Sequence, residues 1–258
     1  SQIVFDGFND DLEFSISTEV YEDLTKENEN DRYEYILPNF NITKNLNTDL
    51  AGLIELNSIG YNKIYENNVN EKILVNNLSY KSLDKINKIG LINNYEFKVK
   101  NFNSDSKNSN NLKNKRENTL QGLFQFNSKL PLVKEKGFFK RTLTPILSAK
   151  FNPYGNKNIS DDDRLIDYTN IYSVNRLSSN EILEGGSSIT IGNEYKIYKK
   201  SNISEEIFGL DLATSFRENE NADLPVKSSL GQKTSNIVGQ SRFKINDFVD
   251  TSYDFILD

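Results

Sequence analysis

The sequence predicts an all-β fold: an antiparallel up-and-down transmembrane β-barrel segment of about eleven strands, which form an incomplete barrel. Three observations support this prediction. They are the composition, a period-two alternation of apolar and polar residues, and connections that alternate between short and long.

The composition combines many aromatic residues with little other apolar material. Only 36% of the residues are hydrophobic, yet 11% are aromatic, and Tyr and Phe supply all of these because Trp is absent. A disordered chain would contain fewer aromatics, and a soluble core of this size would contain more aliphatic residues. A sheet with one apolar face and one wetted face fits both numbers.

The alternation recurs over segments of about ten residues. Residues 12–21 place Leu12, Phe14, Ile16, Thr18 and Val20 on one face, and Glu13, Ser15, Ser17 and Glu19 on the other. The other predicted strands are 33–43, 46–57, 72–82, 89–100, 120–129, 143–151, 189–197, 208–216, 236–244 and 249–257. No segment shows a 3.6-residue period, so no helix is predicted.

The connections between these strands are sorted by length. Short ones are predicted at 44–46, 83–88, 131–140, 199–205 and 245–248. Long polar ones are predicted at 22–32, 58–71, 102–118, 152–186 and 218–235. Outer-membrane barrels show this pattern, with short turns on the periplasmic side and long loops outside. A soluble β-sandwich or β-solenoid remains the alternative.

The predicted strand count is odd, whereas single-chain bacterial barrels close with an even number. An open sheet would leave backbone groups unpaired at its edges. The chain also starts at Ser1 and contains no Met. We therefore expect residues 1–258 to be part of one outer-membrane β-barrel domain, and we expect this part not to fold without the rest of the barrel.

Several classes of function are excluded by residues that the chain lacks. It has no His and no Cys, so Ser-His-Asp and Cys-His catalysis and the usual zinc sites are ruled out. The net charge of −6 argues against nucleic acid as a partner. A glycosidase needs only two carboxylates, but no pattern points to one. We predict a protein that is not an enzyme, with no catalytic residue, cofactor or metal ligand.

Two charged stretches in predicted loops have two interpretations each. Asp161, Asp162 and Asp163 could contact a divalent cation, but their spacing differs from an EF-hand, so a solvated loop is predicted. Lys107, Lys113, Lys115 and Arg116 could meet phosphates at the outer surface, or they could simply keep the loop soluble.

Glycine and proline mark local irregularities in the predicted sheet. Gly185–Gly186–Ser187–Ser188 precedes a strand and lacks the Lys of a phosphate loop, so a turn or bulge is predicted there. Pro38 and Pro145 lie inside predicted strands, where each marks a bulge, a strand end or weak pairing.

Four stretches resemble the LptD family of alphaproteobacteria, in the family's order. They are VYEDLTKENENDRYEYILP at Val20–Pro38, TLTPILSAKFNP at Thr142–Pro153, DYTNIYSVNRLSSNEILEGGSSITIGNEY at Asp167–Tyr195, and LGQKTSNIVG at Leu230–Gly239. The third contains an aromatic-x-x-Asn-Arg core at Tyr172–Arg176. Nothing in the chain matches the family's N-terminal periplasmic jellyroll, its terminal barrel strands or the cysteines of some members.

The resemblance implies a function in the outer membrane of a Gram-negative bacterium. Members of the family receive lipopolysaccharide from a periplasmic bridge and insert it into the outer leaflet, with an LptE-like lipoprotein as a plug inside the barrel. The resemblance assigns no residue of this chain to the substrate path. A passive porin or nutrient channel is the alternative, because the long 152–186 segment could imitate a constricting loop. A purely structural surface β-protein is a third possibility.

Overall fold

The computed structural model describes residues 1–25, 32–65, 68–110, 112–177, 181–200, 205–246 and 248–258. These residues contain fourteen strands and one short 3-10 helix, Val226–Ser228. The strands are β1 (Gln2–Asn9), β2 (Leu12–Glu22), β3 (Tyr33–Leu46), β4 (Gly52–Tyr65), β5 (Asn70–Ser82), β6 (Lys85–Ile86), β7 (Ile92–Lys107), β8 (Glu117–Lys129), β9 (Leu132–Lys136), β10 (Phe139–Asn152), β11 (Gly186–Lys199), β12 (Glu205–Arg217), β13 (Ile237–Asn246) and β14 (Val249–Leu257).

All fourteen strands belong to one antiparallel sheet, as the alternation predicted. Twelve of them follow one another in chain order from β1 to β14, while β6 pairs with β7 and β9 pairs with β10. Among the described residues β1 and β14 form the two edges, so pairing does not close the sheet. Within the part of the chain that the structure describes, no helix is long and apolar enough to cross a membrane.

The predicted odd strand count is wrong, because the sheet has an additional long strand, β1. Its sequence places apolar residues on both faces, so it lacks the alternation used for prediction. Ile3 and Phe5 share one face, and Val4 and Phe8 share the other. The short strands β6 and β9 were also missed, since two and five residues carry little periodic signal.

The strict alternation of connection lengths is also corrected. The predicted long loop 58–71 is mostly strand, because β4 continues to Tyr65 and β5 begins at Asn70. The predicted loop 102–118 shortens in the same way, because β7 continues to Lys107. The long connections from β10 to β11 and from β12 to β13 remain, at residues 153–185 and 218–236.

The two prolines inside strands mark interruptions of pairing, as predicted. The β3–β4 register shifts between Ile36 and Asn39, which brackets Pro38. Pro145 lies where the partner of β10 changes, from β8 at Ile146 to β9 at Leu143. Proline lacks the N–H that an unbroken ladder would need, so both positions tolerate it.

The chain divides into two compact units. Unit 1 comprises Ser1–Lys81, Phe97–Gly122 and Asn180–Ile182, and unit 2 comprises Ser82–Glu96, Leu123–Ser179 and Leu183–Asp258. In unit 1 a small apolar cluster of Ile73, Val75, Phe102 and Leu112 lies on one side of the sheet, with Tyr61 packed against it. Leu112 comes from the connection between β7 and β8, so this connection covers that side.

The strands of unit 2 reverse the usual relation between polarity and burial. Their apolar side chains are exposed, among them Leu147, Phe151, Ile189, Ile191 and Phe216. The polar side chains between them are buried, among them Ser148, Lys150, Asn152, Ser188, Thr190, Asp211, Ser215 and Arg217. We call these two sides of unit 2 its apolar face and its polar face. This arrangement suits a sheet whose outer solvent is lipid.

Candidate functional site

The connection between β10 and β11 lies over the polar face of unit 2. Gln125 Nε2 of β8 donates a hydrogen bond to the Tyr172 carbonyl oxygen at 2.8 Å. Asn152 Nδ2 of β10 donates to the Glu184 carbonyl oxygen at 3.0 Å. These side chains replace strand pairing as partners for a segment that has no regular structure of its own.

Local hydrogen bonds shape the connection before it meets the sheet. Asp167 Oδ1 accepts from the backbone N–H of Thr169 at 2.8 Å and of Asn170 at 3.0 Å. The Asn170 side chain in turn accepts from the Asp167 N–H at 3.1 Å. Such Asx turns reverse the chain, and this one starts the turn-rich segment that contains Tyr172 and Arg176.

Arg176 is the central contact between the connection and the sheet. Its Nε and Nη2 each lie 2.6 Å from an oxygen of Glu184. Its remaining donors reach three strand hydroxyls, with Ser188 at 2.8 Å, Ser215 at 2.9 Å and Thr190 at 3.1 Å. The guanidinium is fully buried, so this many partners are needed to replace its water shell.

Arg217 is the second cation on the same carboxylate. Its Nη1 lies 2.5 Å from Glu184 Oε1, and its Nη2 donates to the Gly185 carbonyl oxygen. Burial alone would raise the pKa of Glu184, but the attraction of Arg176 and its hydrogen bonds outweigh burial and lower that pKa to about 2. Glu184 is therefore ionised at neutral pH. We call Arg176, Glu184 and Arg217 the buried ion cluster.

A further basic side chain joins the connection to β10. Lys150 is buried, and its Nζ donates to the Ser173 carbonyl oxygen. Together with the buried ion cluster, it fixes the connection at several points on β10, β11 and β12. Because a buried charge without its partner is costly, these contacts hold the connection in one position.

The connection between β12 and β13 packs against the connection between β10 and β11. Ile159 N–H donates to the Asp223 carbonyl oxygen at 2.8 Å, and Val226 N–H donates to the Ser160 carbonyl oxygen at 3.2 Å. Both connections bury aliphatic side chains, namely Ile166, Ile171, Leu177, Leu183, Leu224 and Leu230. The two connections thus form one packed body, which we call the loop body.

Two tyrosines of the loop body approach β11 closely. The rings of Tyr168 and Tyr172 pack edge to face with centroids 5.8 Å apart, and Tyr168 OH donates to Glu194 Oε1 at 3.3 Å. Burial raises the pKa of Tyr168, so its hydroxyl stays protonated. A Cβ at Gly192 would lie 1.9 Å from Tyr172 Oη, so only glycine fits beneath this ring.

Away from these contacts the polar face carries ion pairs between neighbouring strands or along one strand. Arg242 of β13 reaches Asp211 at 2.6 Å and Glu206 at 3.0 Å, both on β12. Lys196 and Glu194 pair along β11 at 2.8 Å. Most of these side chains are half-buried, so this part of the face is polar and reachable by water.

Two carboxylates of the acidic run predicted in the longest connection pair with basic residues. Asp162 pairs with Arg164 at 3.1 Å, and Asp163 pairs with Lys227 of the loop body. Among the described residues no group of three acidic side chains could hold a metal ion. Asp161 is exposed on the same loop, so the solvated-loop interpretation fits the run better.

The basic stretch between β7 and β8 is partly neutralised by neighbouring carboxylates. Lys113 Nζ lies 2.6 Å from Glu117 Oε1, and Arg116 Nε lies 3.1 Å from Asp105 Oδ2. Lys107 and Lys115 are exposed. These four residues belong to unit 1, whereas the buried ion cluster belongs to unit 2.

The glycine pair at 185–186 leads into β11, which begins at Gly186. Gly186 has φ of 86°, a conformation that glycine adopts without strain. The pair also has a role that the sequence did not reveal. It places the Gly185 carbonyl oxygen on Arg217 and the Ser188 hydroxyl on Arg176.

Sequence reasoning included Arg176 in a motif but missed its partners. Lys150, Glu184, Ser215 and Arg217 carry most of the remaining contacts. The sequence contained a signal, because Lys150 and Arg217 are charged residues at polar-face positions close to the ends of their strands. A charged side chain that water does not reach needs a partner of its own. The convergence of Lys150 and Arg217 depends on strand register, which the alternation alone does not give.

A comparison with known families supports the resemblance seen in the sequence. The family described as LPS transport system D, LptD, matches residues 3–258, which is nearly the whole chain. No curated protein matches the chain. The region matched includes the whole sheet apart from Gln2, the first residue of β1, and it includes both connections of the loop body.

Proposed function

Because the chain belongs to the LptD family, a family of lipopolysaccharide transport, we propose that it forms part of the wall of an outer-membrane barrel. This barrel assembles lipopolysaccharide into the outer leaflet. In this proposal residues 1–258 are part of one barrel domain in a Gram-negative bacterium.

The reversed polarity of unit 2 is the structural observation that supports the outer-membrane part of the proposal, and the lipopolysaccharide part rests on the family match. Exposed apolar residues such as Ile189 and Ile191 alternate with the buried Ser188 and Thr190 along one strand. In water this arrangement would expose apolar surface for no gain, whereas in a bilayer the apolar face meets acyl chains. The polar face then lines the interior.

The polar face suits a sugar-rich head group. The ion pairs of Arg242, Asp211 and Glu206 supply donors and acceptors without a large net charge. The head group would move along this face while the acyl chains leave sideways between strands. No bond is made or broken, so the proposed role requires no catalytic residue, and the energy comes from other members of the pathway.

The loop body has a place in this mechanism. The buried ion cluster keeps it over β10, β11 and β12, where it limits free passage along the polar face. We propose that an LptE-like lipoprotein contacts the remaining polar face as a plug, and that periplasmic bridge components deliver the substrate. Both partners are proposed because other members of the family have them, and co-purification tests each one.

The test is depletion of the full-length protein in its own host, with a regulated copy of the gene. We expect newly made lipopolysaccharide to stop reaching an enzyme that modifies it only in the outer leaflet. Complementation with the wild-type gene should restore the modification. Unchanged modification after depletion would contradict the proposal, and ion conductance by the purified protein without a plug would favour a passive channel.

A further inference from the structure

The outward side of unit 1 carries a group of polar side chains, whereas a side that faced only lipid would be apolar. We call the side opposite the apolar cluster of Ile73 and Phe102 the outward side. On β7 it presents Phe97 and Val99 first, and then Asn101, Asn103 and Asp105 towards the connection at 108–116. On β8 it presents Asn118 near the same connection and Leu120 after it. An apolar band therefore gives way to a polar zone on both strands.

The polar zone is tied together by side-chain carboxamides. Ser58 Oγ of β4 donates to Asn76 Oδ1 of β5 at 2.8 Å. Asn103 Nδ2 donates to Asn101 Oδ1 at 2.7 Å, and Asn118 Nδ2 donates to Asn103 Oδ1. These bonds hold the amide groups in fixed positions on the sheet surface. Asn103 Nδ2 also donates to the Leu74 carbonyl oxygen at 3.2 Å, so a ligand would meet mainly the Asn103 side-chain carbonyl oxygen and the exposed amide of Asn118.

A groove opens at the edge of this zone. It has a volume of about 380 Å³, and its lining includes Lys72, Leu74, Asn103, Asp105, Arg116 and Asn118. Leu74 supplies an apolar wall and the two Asn residues supply amides, while Lys72 and Arg116 supply positive charge beside the carboxylates of Asp105 and Glu117. The connection at 108–116 lies at one end of the groove, where the apolar band ends.

Arg116 is placed to contact an anion at the groove. Its side chain is 89% exposed, and its Nε is held 3.1 Å from Asp105 Oδ2. This contact orients the guanidinium through Nε. The two terminal nitrogens can then form the paired contact that phosphate oxygens accept well.

We propose that this groove binds the phosphorylated saccharide head group of a glycolipid in the surrounding leaflet. The inference rests on the proposed function for its orientation in the membrane. Carboxamides and Asp105 bind sugar hydroxyls, Arg116 and Lys72 bind phosphate, and the acyl chains lie against the apolar band below. The position at the boundary of that band is the level at which lipid head groups lie.

Site-specific photo-crosslinking of the full-length protein tests the site. A benzophenone amino acid replaces Asn118 in the groove or, as a matched control, Leu120 in the apolar band of the same strand. Each variant is placed in nanodiscs of phosphatidylcholine with or without lipopolysaccharide. We expect position 118 to label the phosphorylated sugar portion and position 120 to label acyl chains of both lipids.

A second pair of variants tests the phosphate contact. Arg116→Gln should lower the yield of lipopolysaccharide adduct at position 118 roughly tenfold, because a charge-assisted paired contact is lost. Lys115→Gln changes the neighbouring exposed charge and should leave the yield unchanged. Inorganic phosphate at about a 10-fold excess should compete little if the lipid anchors the head group. A yield loss of roughly tenfold would instead indicate a site for free phosphate.

Absence of lipopolysaccharide adducts at position 118, or equal loss with both charge variants, would overturn the inference. The result is separable from that of the depletion experiment. If depletion stops lipopolysaccharide assembly but position 118 gives no adduct, the proposed function stands and the groove does not bind the head group. If position 118 gives the adduct but depletion has no effect, the groove binds the head group and the proposed function fails.

Discussion

Arg176 and Glu184 form a paired contact in which two guanidinium nitrogens lie 2.6 Å from the two carboxylate oxygens. Both residues belong to the connection between β10 and β11, yet Arg176 also bonds hydroxyls of β11 and β12. The contact therefore closes the connection on itself and attaches it to the sheet. Four expectations follow from this geometry and from the two faces of the sheet.

Glu184→Gln should detach the loop body. It removes the only carboxylate bound by Arg176 in the described structure and leaves two buried guanidinium groups without their counter-ion. Breaking a buried pair in this way costs ~3–5 kcal/mol. We expect trypsin to cleave at Arg164 much faster, while the heat-modifiable folded band of the full-length protein remains in gels.

Asp163→Asn is the control for that change. It breaks the ion pair between Asp163 and Lys227, and both of these side chains are largely exposed. Exposed pairs contribute ~0–1 kcal/mol, so cleavage at Arg164 should stay near the wild-type rate. Equal rates in the two variants would show that the buried ion cluster does not hold the loop body.

The pKa of Glu184 gives a pH dependence with a definite sign. Its pKa is lowered from 4.5 to about 2 in the folded protein. The stabilisation is therefore complete above pH 4.5 and is lost as the pH falls towards 2. The loop body should stay attached at mildly acidic pH and loosen only in strong acid.

A spin label can follow this transition. Residues 1–258 contain no Cys, so Leu165→Cys on the exposed part of the loop body gives a single attachment site within this stretch, and any Cys elsewhere in the full-length protein is replaced by Ser. Label mobility should rise between pH 4.5 and 2, and the rise should disappear in a Glu184→Gln background. A transition near neutral pH would contradict the assignment to Glu184.

Strand positions were largely predictable because most strands separate polar and apolar residues by face. β12 is the clearest case, since Leu210, Leu212 and Phe216 alternate with Asp211 and Ser215. The errors at the ends of two strands, β4 and β7, share a physical origin. At the ends of β4 and β7, aromatic residues lie on the covered side and Asn residues lie on the outward side. The apolar side chains there therefore do not mark the same side of the sheet as they do in the rest of the strands.

The buried ion cluster could not be predicted from the same pattern. Arg217 and Glu184 are 33 residues apart, and only the registers of β10, β11 and β12 bring them together. The family resemblance drew attention to Arg176 through a motif. It did not indicate that Lys150 and Arg217, one on each side of β11, would converge on the same connection.

Gly192→Ala should disturb the contact between β11 and the loop body. The added Cβ would lie 1.9 Å from Tyr172 Oη and 2.4 Å from the Leu212 carbonyl oxygen. Overpacking of this kind costs ~1–3 kcal/mol. We expect a lower urea midpoint for the detergent-folded protein, and Tyr172→Phe in the same chain should recover only part of the loss.

Gly122→Ala in β8 is the matched control, because a Cβ there meets no atom within 4 Å. Alanine also reduces the freedom of the unfolded chain, so this variant should be neutral or slightly more stable. A loss at Gly122 as large as that at Gly192 would indicate a general intolerance of strand glycines and would remove the argument from close packing.

The assignment of the two faces is tested by placing the same charge on adjacent residues of β8. Phe126 lies on the apolar face and Asn127 on the polar face, where Asn127 Nδ2 donates to Asn94 at 2.9 Å. Phe126→Lys puts an ammonium group among acyl chains, which costs ~2–4 kcal/mol near the bilayer midplane. Asn127→Lys keeps its charge in contact with water and loses only hydrogen bonds, so the cost should be ~1 kcal/mol.

Urea titration of the full-length protein in phosphatidylcholine vesicles measures the free energy of unfolding of both variants. Equal losses would mean that the two faces meet the same solvent, which would contradict the membrane orientation of unit 2.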